Sequence, residues 1–203
     1  MMEKINSVIF DWGGVLIDDP APALRRYCAK ALGISTPAYT RAQLKFHTDF
    51  QKGIISEDVF WQNVCAELKI PAPAERSLWG RVFKAVYSPR PDMFELVSSL
   101  KHSGYKTAIL SNTELPAMQY FYQQRYDMFE TSVFSCAERM LKPEKKIYEL
   151  TLKRLGIQPQ QAVFIDDNQL NTDTADKVGF NTILFKSTGQ VKDELALSAV
   201  KPD

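Results

Sequence analysis

The sequence predicts an α/β fold, in which a doubly wound (Rossmann-like) parallel sheet forms the core and an α-helical cap is inserted after the first strand. Five short runs of apolar and β-branched residues predict buried strands. These runs are continuous rather than alternating, as expected for a parallel sheet covered on both faces. The runs are SVIF (7–10), KTAIL (106–110), TSVF (131–134), AVFI (162–165) and NTILF (181–185).

Helical patterns separate the later strands, and each predicted helix ends at a glycine. The three helical segments are an apolar stripe over 93–100, which Gly104 ends, a segment that begins at Pro143 and ends at Gly156, and a segment over about 168–178, which Gly179 ends. This alternation of strands and helices is typical of a doubly wound fold.

The segment between the first two strands has no strand signal over about 90 residues, which is too long for a simple connection. It is predicted to form helices near 20–32, 38–51, 56–69 and 74–87, with Ser56 as the N-cap of the third. We therefore predict a helical cap over residues 18–90. The core domain is then formed by residues 1–17 and 91–203.

Composition and charge limit the classes of partner. The chain has 203 residues, of which 45% are hydrophobic and 24% charged, as is ordinary for globular proteins. Its net charge is +1 and it has no basic block, so nucleic acid is not an expected partner. Cys28, Cys65 and Cys136 form no CxxC pair and indicate reduced thiols. With no signal-peptide pattern and no membrane span, we expect a cytoplasmic protein. The expected oligomeric state is a monomer or a homodimer.

Polar residues follow four of the predicted strands at their carboxyl ends, where open parallel sheets bind ligands. They are Asp11, Ser111 with Asn112, Lys142 after a loop, and Asp166 with Asp167. Crowded carboxylates repel each other unless a cation lies among them, and Mg²⁺ prefers such oxygen ligands together with phosphate oxygens. Lys142 supplies a charge for a phosphate. Gly13 and Gly14 permit a close approach of backbone N–H groups to a ligand.

Four motifs, in this order and at these strand ends, resemble those of the haloacid dehalogenase-like (HAD) hydrolase superfamily. They are FDWGGVL (10–16), LSNT (110–113), LKPEKKIYE (141–149) and FIDDNQLNTDTADKVGF (164–180). The inserted helices are similar to the C1 caps of the superfamily, and KGIISEDVFW (52–61) resembles a common cap-helix pattern. The FDxGxV form of the first motif is most similar to small members that include α-glucose-1-phosphate phosphatases.

The resemblance implies a Mg²⁺-dependent phosphatase that acts on a small phosphorylated metabolite through an aspartyl phosphate. Asp11 is then the nucleophile. The implied Mg²⁺ ligands are Asp11, the carbonyl of Gly13, Asp167, and Asp166 directly or through water. The implied phosphate-binding groups are Ser111, Lys142 and the backbone N–H groups of Trp12, Gly13 and Asn112.

Two positions depart from the motifs of the superfamily. Gly13 stands where many of its phosphatases have a second aspartate, which is the usual acid for the leaving oxygen. Because a phosphatase without this acid depends more on a good leaving group, we expect a preference for sugar 1-phosphates over 6-phosphates. Arg139 stands where a glycine is common. It either alters the loop or reaches the phosphate.

Two other functions stay open at this point. A haloacid dehalogenase uses the same aspartate on carbon without a metal, and the acidic pair at 166–167 argues against it. A phosphate-binding or regulatory module would keep the fold and the site but lack turnover. Of the remaining polar residues, Asp18, Asp19, His47 and His102 are expected at the surface. Trp12 either packs under the cap or faces the substrate.

Overall fold

The computed structural model describes residues 4–200, and at its centre lies a five-stranded parallel sheet. The strands are β1 (Ser7–Phe10), β2 (Lys106–Ser111), β3 (Thr131–Phe134), β4 (Ala162–Asp166) and β5 (Asn181–Leu184), in the spatial order β3-β2-β1-β4-β5. All pairings are parallel. Each predicted strand is confirmed, with ends that differ by one residue at most. The fold class predicted from the sequence is therefore confirmed.

Six helices lie between β1 and β2, and the first five belong to residues 18–90. These five are α1 (Ala21–Ala31), α2 (Thr36–Leu44), α3 (His47–Gln51), α4 (Glu57–Leu68) and α5 (Leu78–Val86). The N-cap predicted at Ser56 is confirmed, since its hydroxyl accepts a hydrogen bond from the Val59 amide at 3.3 Å. The single helix predicted over 38–51 is wrong, because the chain turns at Phe46, where φ is −122°. This turn directs Phe50 of α3 against Phe60 of α4, with ring centroids 4.5 Å apart.

The remaining helices cover the two faces of the sheet. They are α6 (Pro91–His102), α7 (Leu115–Gln123), α8 (Ser135–Glu138), α9 (Lys145–Leu155), α10 (Gln169–Val178) and α11 (Thr188–Leu197), with a short 3₁₀ helix at Pro159–Gln161. Helix α9 begins at Lys145 rather than at Pro143, because Glu144 is still extended. Helices α7, α8 and α11 are additions to the elements predicted from the sequence.

The two connections between the five helices α1–α5 and the sheet lie side by side. The Asp18 amide donates to the Ser88 carbonyl at 2.9 Å, and the Arg90 amide donates to the Leu16 carbonyl at 2.9 Å. An ion pair between Arg90 Nε and Asp18 Oδ1 at 3.0 Å adds to this pairing. The cap boundaries at 18 and 90 stay a prediction, and we call residues 18–90 the cap below.

Apolar packing joins the cap to the sheet around Trp12. This side chain is 1% exposed, and its ring lies 5.2 Å from Phe83 of α5 and 5.3 Å from Phe121 of α7. Trp12 therefore packs under the cap, which was one of its two predicted roles. Within residues 4–200, none of the helices has the length and apolar character needed to cross a membrane.

Candidate active site

Three carboxyl groups meet at the carboxyl ends of β1 and β4. Asp11 directly follows β1, Asp166 ends β4, and Asp167 comes next. The parallel register pairs Phe10 with Ile165, so the residues that follow them lie opposite each other. One oxygen from each carboxyl group lies within 4.8 Å of the others. The three acidic residues that the sequence places at strand ends therefore lie close together, as expected.

Lys142 inserts its ammonium group between two of these carboxylates. Its Nζ lies 2.9 Å from Asp11 Oδ2 and 2.6 Å from Asp166 Oδ2, and the residue is 2% exposed. The side chain of Asn112 holds the backbone of Lys142 on both sides. Asn112 Oδ1 accepts from the Lys142 amide at 2.8 Å, and Asn112 Nδ2 donates to the Lys142 carbonyl at 2.9 Å. Asn112 thus fixes the position from which the lysine reaches the carboxylates.

The electrostatics of the site reflect burial and crowding. Burial raises the pKa of Asp11 to about 7, against the opposing effect of the Lys142 ammonium, and the negative charges of Asp166 and Asp167 add smaller contributions to the rise. Burial and then Asp166 also raise the pKa of Asp167. Burial would lower the pKa of Lys142, but Asp11 and Asp166 together raise it above its ordinary value. Three carboxyl groups thus lie around one ammonium, which leaves an excess of negative charge at the site when all three are ionised.

The two adjacent aspartates differ in their surroundings. Asp166 is fully buried, and its carboxylate accepts hydrogen bonds from Asn171 Nδ2 at 3.0 Å and from the Asn168 amide at 2.8 Å, besides that from Lys142. Asp167 is exposed. Room for its carboxylate comes from Gly14, which has a φ of +86° and on which a Cβ would lie 2.1 Å from Asp167 Oδ2. Gly14 is therefore required both by its backbone conformation and by this close approach.

Polar groups of the first and second motifs complete the site. The Trp12 amide donates to Asp11 Oδ1 at 2.6 Å, which orients the carboxylate. Ser111 is 3% exposed, and its Oγ accepts from Thr113 Oγ1 at 3.0 Å. That contact leaves the Ser111 proton for another acceptor. Thr113 is not among the residues predicted from the sequence, although the strand-end position of LSNT was a signal for it.

A cavity of about 150 Å³ lies between the cap and this edge of the sheet. Asp11, Gly13 and Ser111 line it from the core, and Gln43, His47 and Trp79 line it from the cap. Gln43 Oε1 and Trp79 Nε1 are buried and have no hydrogen-bond partner among the described residues. Both atoms are covered in this structure, so they are unpaired polar groups beside the cavity rather than groups exposed in it. No motif in the sequence pointed to either residue.

His47 corrects a prediction, because it lines this cavity instead of lying at the surface. Its Nε2 donates to Glu114 Oε1 at 2.8 Å, and the Glu114 side chain is 8% exposed. The partner is distant in sequence, so helical spacing could not reveal it. His102, by contrast, is exposed as predicted, and its Nδ1 lies 2.7 Å from the Ser98 carbonyl.

The other residues singled out from the sequence lie outside the acidic cluster. Asp18 and Asp19 are exposed as expected, although Asp19 also lines the cavity. Arg139 is exposed and has a left-handed backbone, with a φ of 56°, at the end of α8. It is not among the residues that line the cavity, and its effect on the loop stays a prediction. Cys28, Cys65 and Cys136 are free thiols.

The residues of the acidic cluster fit a hard divalent cation. Asp11, Asp166 and Asp167 supply carboxylate oxygens at the required proximity, and their combined charge exceeds that of Lys142. Oxygen ligands of this kind suit Mg²⁺. Of the three carboxylates, that of Asp167 is the one exposed to solvent.

The chain is similar to curated proteins with different activities. It is 30% identical over 187 residues to mouse acyl-CoA dehydrogenase family member 10, a match that covers 88% of this chain and 18% of that protein's length. It is 26% identical to (S)-2-haloacid dehalogenase 4A from Burkholderia cepacia, with 93% of this chain and 86% of that one covered. It is also 26% identical to the sesquiterpene phosphatase astK from Aspergillus oryzae, with 88% and 89% covered.

Solved structures and a family profile agree with the observed fold. One similar structure is a HAD family enzyme from Bacteroides thetaiotaomicron, solved in complex with magnesium and inorganic phosphate. The match has a TM-score of 0.72 at 22% identity, and it covers 90% of this chain and 94% of that enzyme's chain. The profile of the haloacid dehalogenase-like hydrolases matches residues 5–179, which includes the cap and all the strand-end residues of the acidic cluster. The chain therefore belongs to the haloacid dehalogenase-like hydrolase family.

Proposed function

We propose that the protein is a Mg²⁺-dependent phosphatase that hydrolyses a small phosphate monoester. The observation that carries the proposal is the meeting of Asp11, Asp166 and Asp167 within 4.8 Å beside the ammonium of Lys142. This set combines ligands for a hard cation with a positive charge for a phosphate. The fold relative that holds magnesium and inorganic phosphate, and the phosphatase relative at 26% identity, support the same activity.

The proposal assigns the residues of the site to two tasks. Mg²⁺ would be held by Asp11, the carbonyl of Gly13, Asp167, and Asp166 directly or through water. When bound, Mg²⁺ neutralises charge on phosphate oxygens. The phosphate would be bound by Ser111, Lys142 and the N–H groups of Trp12, Gly13 and Asn112. Asp166 is already engaged by Lys142 and Asn171, which favours Asp167 as the more available ligand.

Asp11 is the nucleophile in the proposed reaction. Its carboxylate is oriented by the Trp12 amide on one oxygen and by Lys142 on the other, so it can attack phosphorus in line with the leaving oxygen. Lys142 and Ser111 stabilise charge on the transferring phosphoryl group. Water then attacks the phosphorus of the aspartyl phosphate, which releases phosphate and restores Asp11.

We propose a sugar 1-phosphate as the substrate class. Gln43 and Trp79 line the cavity, and each has a buried polar atom without a partner, Oε1 and Nε1, which suits these side chains to sugar hydroxyl groups once they turn toward the ligand. Aromatic rings of Trp79 and Phe83 also line the cavity and suit the apolar face of a sugar ring. Gly13 removes the acid that is usual at this position, so an anomeric leaving oxygen, which is easier to expel than a primary alkoxide, is favoured unless another group of the cavity supplies the proton.

A dehalogenase is the second candidate, because two of the curated relatives are (S)-2-haloacid dehalogenases. One panel separates the candidates. Phosphate release from sugar 1-phosphates, sugar 6-phosphates and aryl phosphates is measured with Mg²⁺ and with excess EDTA, and halide release from 2-haloacids is measured in EDTA. We expect phosphate release that requires Mg²⁺ and is faster with 1-phosphates. Halide release in EDTA without phosphatase activity would overturn the proposal. Mg²⁺ and phosphate binding without any turnover would instead indicate a binding module.

Three further properties stay predictions. We expect a small phosphorylated metabolite as the ligand and neither nucleic acid nor a membrane as a partner. A monomer and a homodimer both remain open. Residence in the cytoplasm is expected from the cysteine usage.

A further inference from the structure

The cavity contains an imidazole that is held by a buried carboxylate. Of the cavity-lining residues within 4–200, His47 alone carries an imidazole, and its Nε2 donates to Glu114 Oε1 at 2.8 Å. Because a carboxylate accepts at Nε2, the second ring nitrogen, Nδ1, is the one that can exchange a proton with a ligand. Glu114 follows Ser111 by three residues, which keeps the pair near the proposed phosphate site.

Contacts at both ends of α3 fix the position of this imidazole. At the end of the helix, Ser135 Oγ donates to the Gln51 carbonyl at 2.7 Å and accepts from the Thr113 amide at 2.8 Å. At its beginning, His47 contacts Glu114, and its ring lies 5.7 Å from that of Trp79. The short helix is thus tied to the loop that follows β2. An imidazole oriented by a carboxylate in this way is a suitable proton donor.

The other cavity residues are less suited to donate a proton to a leaving group. Asp11 is the proposed nucleophile, and Gly13 has no side chain. Arg25 holds its protons too strongly. Asp19 is exposed to solvent. We propose that His47, positioned by Glu114, protonates the leaving oxygen of the substrate, an inference that rests on the phosphatase function proposed above.

The proposed steps balance in protons and bonds. As Asp11 forms its bond to phosphorus, the bond from phosphorus to the leaving oxygen breaks, and the electron pair on that oxygen takes the proton from His47 Nδ1. Water then attacks phosphorus, the bond to Asp11 breaks, and Nδ1 takes a proton from the water. The ring, which carries a proton on both nitrogens before the first step, is thereby restored, and the net reaction is hydrolysis of the ester.

The test is the dependence of the rate on the leaving group. We would measure kcat/KM with Mg²⁺ for para-nitrophenyl phosphate, phenyl phosphate and a sugar phosphate, using the natural protein, His47→Gln and the control His102→Gln. His47→Gln is expected to lower the rate by about 10²–10⁴-fold for the poorest leaving group and by much less for para-nitrophenyl phosphate. His102→Gln changes an exposed histidine of α6 and is expected to have the same kcat/KM values as the natural protein.

A second variant, Gly13→Asp, places a carboxylic acid at the position where many phosphatases of the superfamily have their acid. A Cβ on Gly13 would lie 3.3 Å from Pro20 Cδ, and Gly13 has no left-handed φ, so Gly13→Asp requires only a small shift. Adding Gly13→Asp to His47→Gln is expected to restore turnover of poor leaving groups. An equal loss for all esters in His47→Gln would overturn the inference while the phosphatase function stands. Failure of the natural protein to hydrolyse any ester would overturn both.

Discussion

Lys142 Nζ donates to Asp166 Oδ2 over 2.6 Å, and the two side chains are 1% and 0% exposed. The same ammonium lies 2.9 Å from Asp11 Oδ2. Because removal of one partner of a buried ion pair leaves an uncompensated charge, this lysine is important for the stability of the metal-free protein as well as for phosphate binding.

Replacement of this lysine tests that dual role. We expect Lys142→Met to lower the free energy of unfolding by about 3–5 kcal/mol without Mg²⁺ and to abolish phosphate release. Mg²⁺ should recover part of the lost stability, because it would supply positive charge to the same carboxylates. Urea unfolding with and without Mg²⁺ measures this. The matched control is Lys145→Met, whose side chain is 65% exposed. Equal stability of the two variants would contradict the account.

The two adjacent aspartates should differ in their effect on Mg²⁺ binding. Asp167→Ala removes the exposed carboxylate and should weaken Mg²⁺ binding severely. Asp166→Ala should weaken it less if that group binds through water, but it should also destabilise the fold, since Lys142 and Asn171 lose their partner. Calorimetric Mg²⁺ titration together with thermal unfolding separates the two effects. Asp176→Ala, an exposed position on α10, is the control. Unchanged Mg²⁺ affinity in both site variants would remove these residues from the metal site.

The thiol of Cys28 provides a test of burial in the cap. Burial raises the pKa of Cys28 to about 12, from an ordinary value of 9.0. The thiol is therefore neutral at pH 8. Its contribution to the free energy of unfolding is fully present below pH 9.0 and is lost as the pH rises toward about 12. We expect Cys28 to react with a thiol reagent at pH 8 far more slowly in the native protein than in urea. Peptide mapping of the labelled protein identifies the site. Rapid labelling of native Cys28 would contradict its burial.

The sequence predicted the sheet well, because a buried parallel strand leaves a short continuous apolar run. The helices were predicted less completely. The break at Phe46 depends on the packing of Phe50 against Phe60 of another helix, which periodicity within 38–51 does not record. By contrast, the apolar stripe over 93–100 and the glycine that ends it predicted α6 correctly, because every residue of that pattern lies within or next to the helix itself.

The acidic cluster was also predictable, because strand ends of a parallel sheet meet at one edge. Asp11, Lys142 and Asp166 lie within hydrogen-bonding distance as that rule requires. The cap side of the cavity was not predictable in the same way. His47 and Glu114 are far apart in sequence, and their contact depends on how the cap folds over the sheet.

The central claim is that Asp11 is the nucleophile of a Mg²⁺-dependent phosphatase, and a single comparison tests it most directly. Phosphate release from para-nitrophenyl phosphate is measured with Mg²⁺ for the natural protein, for Asp11→Asn and for Asp58→Asn, an exposed control on α4. Circular dichroism verifies that each variant is folded. We predict that Asp11→Asn lowers kcat by about 10³-fold or more, because it keeps the shape of the side chain but removes the attacking charge. Asp58→Asn should match the natural protein. Substantial Mg²⁺-dependent turnover by folded Asp11→Asn would contradict the account.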